Sequence, residues 1–471
     1  MKSLSNGSKK INLIGPYLGI GMFFLILYPY QSGDIYILNY IAALVAYFIM
    51  TGVLLLSHLR KRLDIFEPIV LFSFIYILMF SITPLLDILL KETLWFGQDL
   101  LGNGVEGIIY AVIGYIAFYL GYIIKLTVRK GSTKRKNIID NKNYYNRNFI
   151  SYISVALWIL FFILTMIYLS VDGGKSITYI LSLGLIGEVA PENIQETSLG
   201  VLSMFSYSLI PLALLYSEFG ESKIIKYTLF ILTLSIQIIR GFRFIILICI
   251  FSVVIYSFLK NKKRPSISKL VQLLGVAIVV ISIVGFLRND IRSGSGTDWD
   301  SFNFESIVNP ILENFRIYKT YYGILNAVPS IVPFMYGEQM FLYTLILFIP
   351  RAIWPLKPDA PGSEAVIYGV SNYANEAGTA YPIIGEFYYE FGLLGIIIFM
   401  YIFGIMCRNL MKLYLNGNDN SFDIMIYSIM LPAILQLVIR GYTPSNFYMI
   451  LFLIGPLITI KKLSKKGKLN E

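Results

Sequence analysis

Apolar stretches of about 20 residues recur from one end of the chain to the other, and a helix of that length crosses the roughly 30 Å hydrocarbon layer of a bilayer. Polar and apolar residues do not alternate within these stretches, as they would in the strands of a membrane β-barrel. Only helices and closed barrels satisfy every backbone hydrogen bond in lipid. The sequence therefore predicts an all-α polytopic membrane protein.

The composition excludes the main soluble classes. Of the 471 residues, 56% are hydrophobic and 14% are charged, whereas soluble domains carry about 25% charged residues. Two cysteines, Cys249 and Cys407, are too few for a disulfide framework, and no metal-ligand spacing is present. No nucleotide-binding loop or dinucleotide fingerprint occurs either. We therefore expect no metal and no other cofactor.

We predict twelve transmembrane helices. They lie at 11–29, 35–57, 66–90, 105–126, 148–171, 199–218, 224–239, 243–259, 269–287, 382–407, 423–439 and 446–461. The first is interpreted as a retained signal anchor. The predicted organisation is nine spans in 1–287, a long extracytoplasmic segment at 288–381, and three spans with a cytoplasmic tail in 382–471. Within the extracytoplasmic segment, the apolar stretch 331–350 is bounded by prolines and is interpreted as a re-entrant or surface-lying helix.

The net charge of +11 follows from membrane topology. Basic loops at 2–10, 60–62, 125–147, 260–269 and 461–468 alternate with loops that are poor in lysine. Cytoplasmic loops are the ones enriched in positive charge, so twelve spans put both termini in the cytoplasm. The expected partner of these loops is the anionic inner leaflet of the membrane, and not nucleic acid.

Arginine does not follow this rule, because seven arginines are predicted on the outer side. They are Arg240, Arg243, Arg288, Arg292, Arg316, Arg351 and Arg440. The planar guanidinium group binds phosphate in bidentate fashion and is always charged. Charges near membrane depth often mark a substrate path, and the group predicts an anion site. The alternative for each arginine is that it reaches lipid headgroups or pairs with a carboxylate.

Outer carboxylates and aromatic residues accompany these arginines. Glu386 and Asp290 are candidate general bases for a sugar hydroxyl, and a salt bridge to an arginine is the alternative for Glu386. Trp354, Lys357 and Tyr381 are candidates for binding sugar rings. For the two aromatic residues the alternative is a belt at the membrane interface.

With these residues in view, the chain resembles the bacterial O-antigen polymerase family, the Wzy-type polymerases of oligosaccharide repeat units. The resemblance rests on Arg-Gly-Phe-Arg at 240–243 between two spans and on the long outer segment after Arg288. It rests also on Pro-Arg…Trp-Pro…Lys-Pro at 350–358 and on Gly-Glu…Phe-Gly at 385–392, which opens a span.

The resemblance implies an enzyme at the outer face of the bacterial cytoplasmic membrane. It would move a growing glycan from undecaprenyl pyrophosphate to the non-reducing end of a new lipid-linked repeat unit, without a metal. A chain-length regulator and a flippase of the same pathway are the partners it suggests. Our hypothesis is that most of the outer arginines hold the pyrophosphate: Arg240, Arg243, Arg288 and Arg351, supported by Arg292 and Arg440. Glu386 or Asp290 would accept the proton.

Three other functions stay open at this point. An O-antigen ligase is disfavoured because its proposed base is an outer histidine, and the only histidine here, His58, is predicted to be cytoplasmic. A flippase for the same lipid-linked sugars should carry charges deep in its spans and internal repeats, neither of which is evident. The third is a scaffold in a polysaccharide-export complex.

Overall fold

The computed structural model is mostly helical. It describes residues 34–59, 64–95, 98–124, 145–172, 200–240, 243–261, 312–349, 353–358, 380–416 and 421–464, with residues 19, 21–24, 265–266 and short pieces between 268 and 283. Its longer helices are α1 (Asp34–Leu59), α2 (Pro68–Leu90), α3 (Gly104–Ile123), α4 (Arg147–Asp172), α5 (Phe205–Phe219), α6 (Lys223–Ile239), α7 (Arg243–Lys260), α8 (Tyr318–Ala327), α9 (338–347), α10 (Ile383–Asn416), α11 (Ser421–Ile439) and α12 (Thr443–Leu463). A single helical turn at Gly200–Ser203 precedes α5, and a two-stranded antiparallel hairpin, Leu94–Trp95 with Gln98–Asp99, links α2 to α3.

Many of these helices are long and apolar enough to cross a membrane. Among the described residues there are eight such segments: Ile35–Leu59, Pro68–Leu90, Leu101–Ile123, Arg147–Leu169, Arg243–Lys260, Ile383–Tyr414, Ser421–Ile439 and Thr443–Leu463. The predicted spans at 199–218 and 224–239 form the shorter helices α5 and α6, of 15 and 17 residues. The predicted all-α polytopic membrane fold is confirmed.

Other parts of the predicted organisation are not tested. The predicted spans 11–29 and 269–287 fall largely outside the described residues. The count of twelve spans and the three-part division of the chain therefore stay predictions. The stretch 331–350 contains the short helix α9, and its depth in a membrane also stays a prediction.

Helix α3 packs against α10 with its backbone in direct contact. A Cβ atom on Gly121 would lie 2.1 Å from the carbonyl oxygen of Tyr401, and one on Gly404 would lie 2.1 Å from that of Phe118. Small residues allow this approach, which is a common way to join helices in lipid. Beside the contact, the Phe118 ring stacks on Phe72 of α2 with centroids 3.6 Å apart. The helices α2, α3 and α10 thus pack together as one closely packed group.

Two helices, α2 and α9, depart from regular α-helical geometry. In α2, residues Leu78–Ile82 form a π-helical turn just before Pro84, whose missing amide cannot continue the helical ladder. The Leu78 carbonyl accepts from the Thr83 amide and also, at 2.7 Å, from the Thr83 hydroxyl. Residues Glu338–Tyr343 form a second π turn in α9. Such turns are rare and frequently lie at functional sites.

Helix α10 is broken close to its start. Phe391 (φ −142°, ψ 20°) and Gly392 (φ 62°, ψ −150°) leave helical geometry, and the positive φ favours glycine. The amide of Met335 donates to the Tyr389 carbonyl at 3.1 Å, and the amide of Tyr336 donates to the Glu390 carbonyl at 2.9 Å. The segment before α9 therefore satisfies carbonyls beside the break. Broken helices in membrane proteins are tolerated where other protein groups bond the backbone in this way.

Candidate functional site: an arginine-bearing end of the helix bundle

The ends of α6, α7 and α11 meet at one end of the bundle, and each bears an arginine. Arg240 ends α6, Arg243 begins α7, and Arg440 follows α11. The Arg440 guanidinium carbon lies 5.9 Å from the ring centroid of Phe244, so the first turn of α7 lies beside the end of α11. The sequence separates Arg243 and Arg440 by most of the second half of the chain, and the fold brings their helices together.

The start of α10 belongs to the same end of the bundle. The amide of Gly441 donates to the carbonyl oxygen of Tyr381 at 2.7 Å. Tyr381 lies two residues before α10, and Gly441 lies directly after Arg440. The arginine-bearing ends are therefore joined by backbone contact to the segment that carries Glu386.

Arg240 is almost fully buried, with 4% of its surface exposed. Its Nη1 donates to the hydroxyl of Ser206, and its guanidinium carbon lies 5.0 Å above the ring centroid of Tyr207. A cation over an aromatic face gains electrostatic stabilisation that grows as water is excluded. The start of α5 thus fixes the position of Arg240. Arg243 and Arg440 are half-buried.

The Glu386 carboxylate is fully buried and caps the first turn of α12. Its Oε1 accepts from the Thr443 amide at 2.8 Å and from the Gln339 side-chain amide at 2.9 Å. Its Oε2 accepts from the Thr443 hydroxyl at 2.6 Å. Amides at a helix N-terminus have no partner within the helix and favour a negative charge. Glu386 thereby joins α9, α10 and α12.

Glu390 caps a second helix in the same manner. Its carboxylate accepts from the amides of Gly337 and Met340, at 2.5 and 2.7 Å, at the start of α9. For Glu386, one turn before Glu390, the expected alternative was a salt bridge to an arginine. Among the described residues, the hydrogen bonds of both glutamates come from uncharged donors only. The role of Glu386 as a base stays a prediction.

The predicted sugar-binding residues lie around α9. The Tyr381 hydroxyl accepts from the Gln339 amide nitrogen at 2.7 Å, and burial raises its pKa well above the ordinary value. Lys357 is buried and donates to the carbonyl oxygen of Leu347 at 3.1 Å, so it caps the C-terminal end of α9. Trp354 is exposed. Tyr381 and Trp354 are thus in different environments, and sugar binding by either stays a prediction.

Four of the predicted site residues lie outside the described residues: Arg288, Asp290, Arg292 and Arg351. Their predicted roles in holding pyrophosphate and accepting a proton are neither supported nor contradicted by the fold.

A buried ion network joins α2 to the region around α8, and sequence reasoning missed its partners. Arg316, one of the seven outer arginines, pairs through Nε with Asp87 at 2.8 Å and through Nη2 with Glu92. Lys319 pairs with Asp87 at 2.9 Å, and the Tyr318 hydroxyl donates to Asp87 at 2.8 Å. Burial lowers the pKa of Lys319. The single aspartate within an apolar span was the available signal, because such a charge needs a partner.

Comparison with known proteins agrees with this picture. A family model described as O-antigen polysaccharide polymerase Wzy matches residues 18–468. The chain belongs to this family. The resemblance identified from the sequence is therefore confirmed, and the chain is a multi-pass membrane protein of the Wzy family.

Two relatives are O-antigen polymerases from Salmonella typhimurium and Salmonella typhi. Each is 27% identical over 293 residues, which cover 60% of this chain and 65% of the relative. The match thus spans just under two thirds of the length of these relatives. No solved structure matches the chain.

Proposed function

We propose that this Wzy-family chain polymerises lipid-linked oligosaccharide repeat units for O-antigen, capsule or another exopolysaccharide. It would transfer the growing glycan from undecaprenyl pyrophosphate to the non-reducing end of an incoming repeat unit. The observation that carries the proposal is that the arginine-bearing ends of α6, α7 and α11 meet beside the start of α10 in a member of this family.

The proposed glycosyl transfer depends on fixed cations that bind the pyrophosphate leaving group, and it is proposed to use no cofactor. A hydroxyl oxygen of the acceptor sugar attacks the anomeric carbon of the donor glycan, and the bond from that carbon to pyrophosphate breaks. The electron pair leaves with the pyrophosphate, and the hydroxyl proton passes to a base. Cations held in place where water is excluded stabilise the charge that develops on the leaving group. Holding both lipid-tethered substrates in position lowers the barrier further.

Six arginines are assigned to the pyrophosphate. They are Arg240, Arg243 and Arg440 at the described end of the bundle, with Arg288, Arg292 and Arg351. The fixed position of Arg240 on Ser206 and Tyr207 supports its assignment, because a pre-oriented guanidinium group loses little freedom on binding phosphate.

Glu386 and Asp290 are the two candidates for the base. Both oxygens of Glu386 accept hydrogen bonds, so Glu386 accepts the proton only when Gln339 or Thr443 turns away. Trp354, Lys357 and Tyr381 are assigned to the glycan. The reaction is proposed to need no metal.

The proposed location is the outer face of the bacterial cytoplasmic membrane, with both termini in the cytoplasm. A chain-length regulator and a flippase of the same pathway are the proposed partners. A transporter or flippase for the same sugars is the alternative function that the experiment must separate from polymerisation.

The test is complementation of a strain that lacks this chain, with the surface glycan resolved by length. We expect the Arg243→Ala protein to reach the wild-type level in the membrane while its glycan chains stop at a single repeat. Arg243→Lys should restore long chains only poorly. Arg147→Ala is the matched control, because Arg147 is exposed at the start of α4 and is predicted to be cytoplasmic. Wild-type chains in Arg243→Ala would refute the arginine assignment. Loss of all surface glycan, with lipid-linked units held inside the cell, would indicate a flippase.

A further inference from the structure

Buried hydroxyl groups without a partner collect in one region of the bundle. The hydroxyls of Tyr76 in α2 and of Tyr321 and Tyr322 in α8 have no hydrogen-bond partner among the described residues, and all three side chains are fully buried. The hydroxyls of Ser81 and Thr320, next to Phe80 and Tyr321 in the chain, are also buried without a hydrogen-bond partner among the described residues. Buried polar groups are normally bonded, so several unbonded hydroxyls together call for a missing partner such as water or a ligand.

The three tyrosines, here called the tyrosine cluster, are linked by a series of ring contacts in which Tyr321 lies between the other two. The Phe80 ring contacts Tyr76 with centroids 4.7 Å apart and Tyr321 with centroids 6.0 Å apart. The rings of Tyr321 and Tyr322 are 5.9 Å apart. Burial, and then the nearby phenols of Tyr76 and Tyr322, raise the pKa of Tyr321 well above its ordinary value. The three unbonded phenols therefore belong to one packed region of the bundle.

The tyrosine cluster borders the segment that carries Glu386. A Cβ atom on Gly385 would lie 3.6 Å from Cδ2 of Tyr321, and one on Gly114 in α3 would lie 3.2 Å from the Tyr76 hydroxyl oxygen. Glycine at these two positions lets the tyrosine rings pack directly against α3 and α10. Gly385 directly precedes Glu386, so the cluster lies against the start of α10.

A row of aromatic residues leads from the cluster toward the surface. Tyr388, one turn after Gly385, stacks on Tyr110 of α3 with centroids 6.0 Å apart at 30°. Tyr110 is half-buried, and Glu106, one turn before it in α3, is exposed. Aromatic faces, phenol hydroxyls and a carboxylate together match the apolar faces and the hydroxyl groups of a sugar ring.

We propose that the tyrosine cluster is a sugar-binding subsite in which the phenols of Tyr76, Tyr321 and Tyr322 exchange hydrogen bonds with hydroxyls of the glycan. This inference rests on the proposed polymerase function and adds residues outside the arginine-bearing end of the bundle. The competing explanation is that ordered water alone bonds these hydroxyls.

Removing each hydroxyl separates the two explanations. Phenylalanine keeps the ring and deletes only the unbonded oxygen, so Tyr321→Phe and Tyr322→Phe are expected to unfold at the wild-type temperature or above it. If the hydroxyls bind sugar, the rate of chain growth at limiting substrate should fall by about five- to tenfold for each variant, the usual effect of one lost hydrogen bond. Both readouts use the full-length chain, in detergent for unfolding and in the complemented strain for chain growth.

Tyr115→Phe is the matched control. Its hydroxyl is bonded to Ser73 at 2.8 Å, so the variant should unfold at a lower temperature and leave the chain-length distribution unchanged.

Cluster variants that are stable and show wild-type chain growth would overturn the proposed subsite, and would indicate that the hydroxyls bond water only. Loss of stability in the cluster variants would overturn it too, because their hydroxyls would then be bonded within the protein. If the cluster variants behave like wild type while chains in Arg243→Ala stop at one repeat, only the sugar-binding subsite is refuted. If Arg243→Ala also makes chains of normal length, the arginine site of the proposed polymerase is refuted as well.

Discussion

Glu386 accepts hydrogen bonds from both the amide and the hydroxyl of Thr443, at 2.8 and 2.6 Å. The carboxylate thus caps α12 from the neighbouring helix α10, at the end of the bundle where Arg440 lies. The residue predicted from the sequence to be a proton acceptor therefore also connects α10 to α12. Its capping contacts and its predicted role as a base can be tested separately by substitution.

Glu386→Ala should destabilise the fold by about 1–3 kcal/mol, because the Thr443 amide, the Thr443 hydroxyl and the Gln339 amide lose their buried acceptor. Glu386→Gln keeps one acceptor oxygen and should cost less. Thr443→Val removes only the hydroxyl and should cost about 1 kcal/mol. Thermal unfolding in detergent measures all three. A Glu386→Ala variant as stable as wild type would contradict the capping role.

The length of the glycan chains made by Glu386→Gln then tests whether Glu386 is the general base. If Glu386 accepts the acceptor proton, this folded variant should stop at a single repeat. Long chains from a stable Glu386→Gln would exclude Glu386 and direct the search to Asp290.

Asp87 neutralises two buried cations, Arg316 and Lys319. Asp87→Asn should therefore cost about 3–5 kcal/mol, because breaking a buried ion pair from one side leaves charge uncompensated. The control is Glu218→Gln, which breaks the pair with Lys260. This variant should cost less, about 1 kcal/mol, because the released Lys260 side chain is 49% exposed and is solvated by water. Equal, small losses in the two variants would show that the Asp87 network adds little to the stability of the fold.

Gly404 is in backbone contact with α3, where a Cβ atom would lie 2.1 Å from the Phe118 carbonyl oxygen. Gly404→Ala should force α3 and α10 apart and destabilise the protein by about 1–3 kcal/mol. Gly52→Ala in α1 is the control, since no atom lies within 4 Å of its Cβ position; it should be neutral or stabilising by up to about 1 kcal/mol. Unfolding temperatures that do not distinguish the two variants would refute the close packing of these helices.

Glu67 directly precedes α2, at the opposite end of that helix from Asp87. Burial, reinforced by Asp64, raises its pKa from 4.5 to about 7, although a hydrogen bond from Tyr122 and the charge of Arg408 oppose the shift. The folded state therefore holds a proton that the unfolded chain releases, and stability falls as the pH rises from about 4.5 to 7.

Glu67→Gln removes this pH dependence. The free energy of unfolding of this variant should equal that of wild type near pH 4. By pH 8 it should exceed that of wild type by up to about 3 kcal/mol. Unfolding temperatures of the two proteins across that range provide the measurement. A constant difference between them would place the pKa of Glu67 at its ordinary value.

Most of the helices could be predicted because their causes are local. Twenty apolar residues in a row must bond their own backbone in lipid. The orientation predicted from the Lys-rich loops is local in the same way and stays a prediction. The predicted helices at 35–57, 243–259 and 423–439 accordingly differ from α1, α7 and α11 by at most two residues at either end. The Wzy family, too, was recognisable from short motifs near helix ends.

The partners of the charged groups depend on which helices meet, and that depends on side-chain packing across hundreds of residues. Arg316 looked like an anion-binding residue until the fold placed it on Asp87, 229 positions away. Glu386 is predicted to be a base, and only the fold shows that it also caps the first turn of α12. Local composition sets which segments are long and apolar enough to cross a membrane, whereas long-range packing sets which carboxylate cancels a charge and which caps a helix.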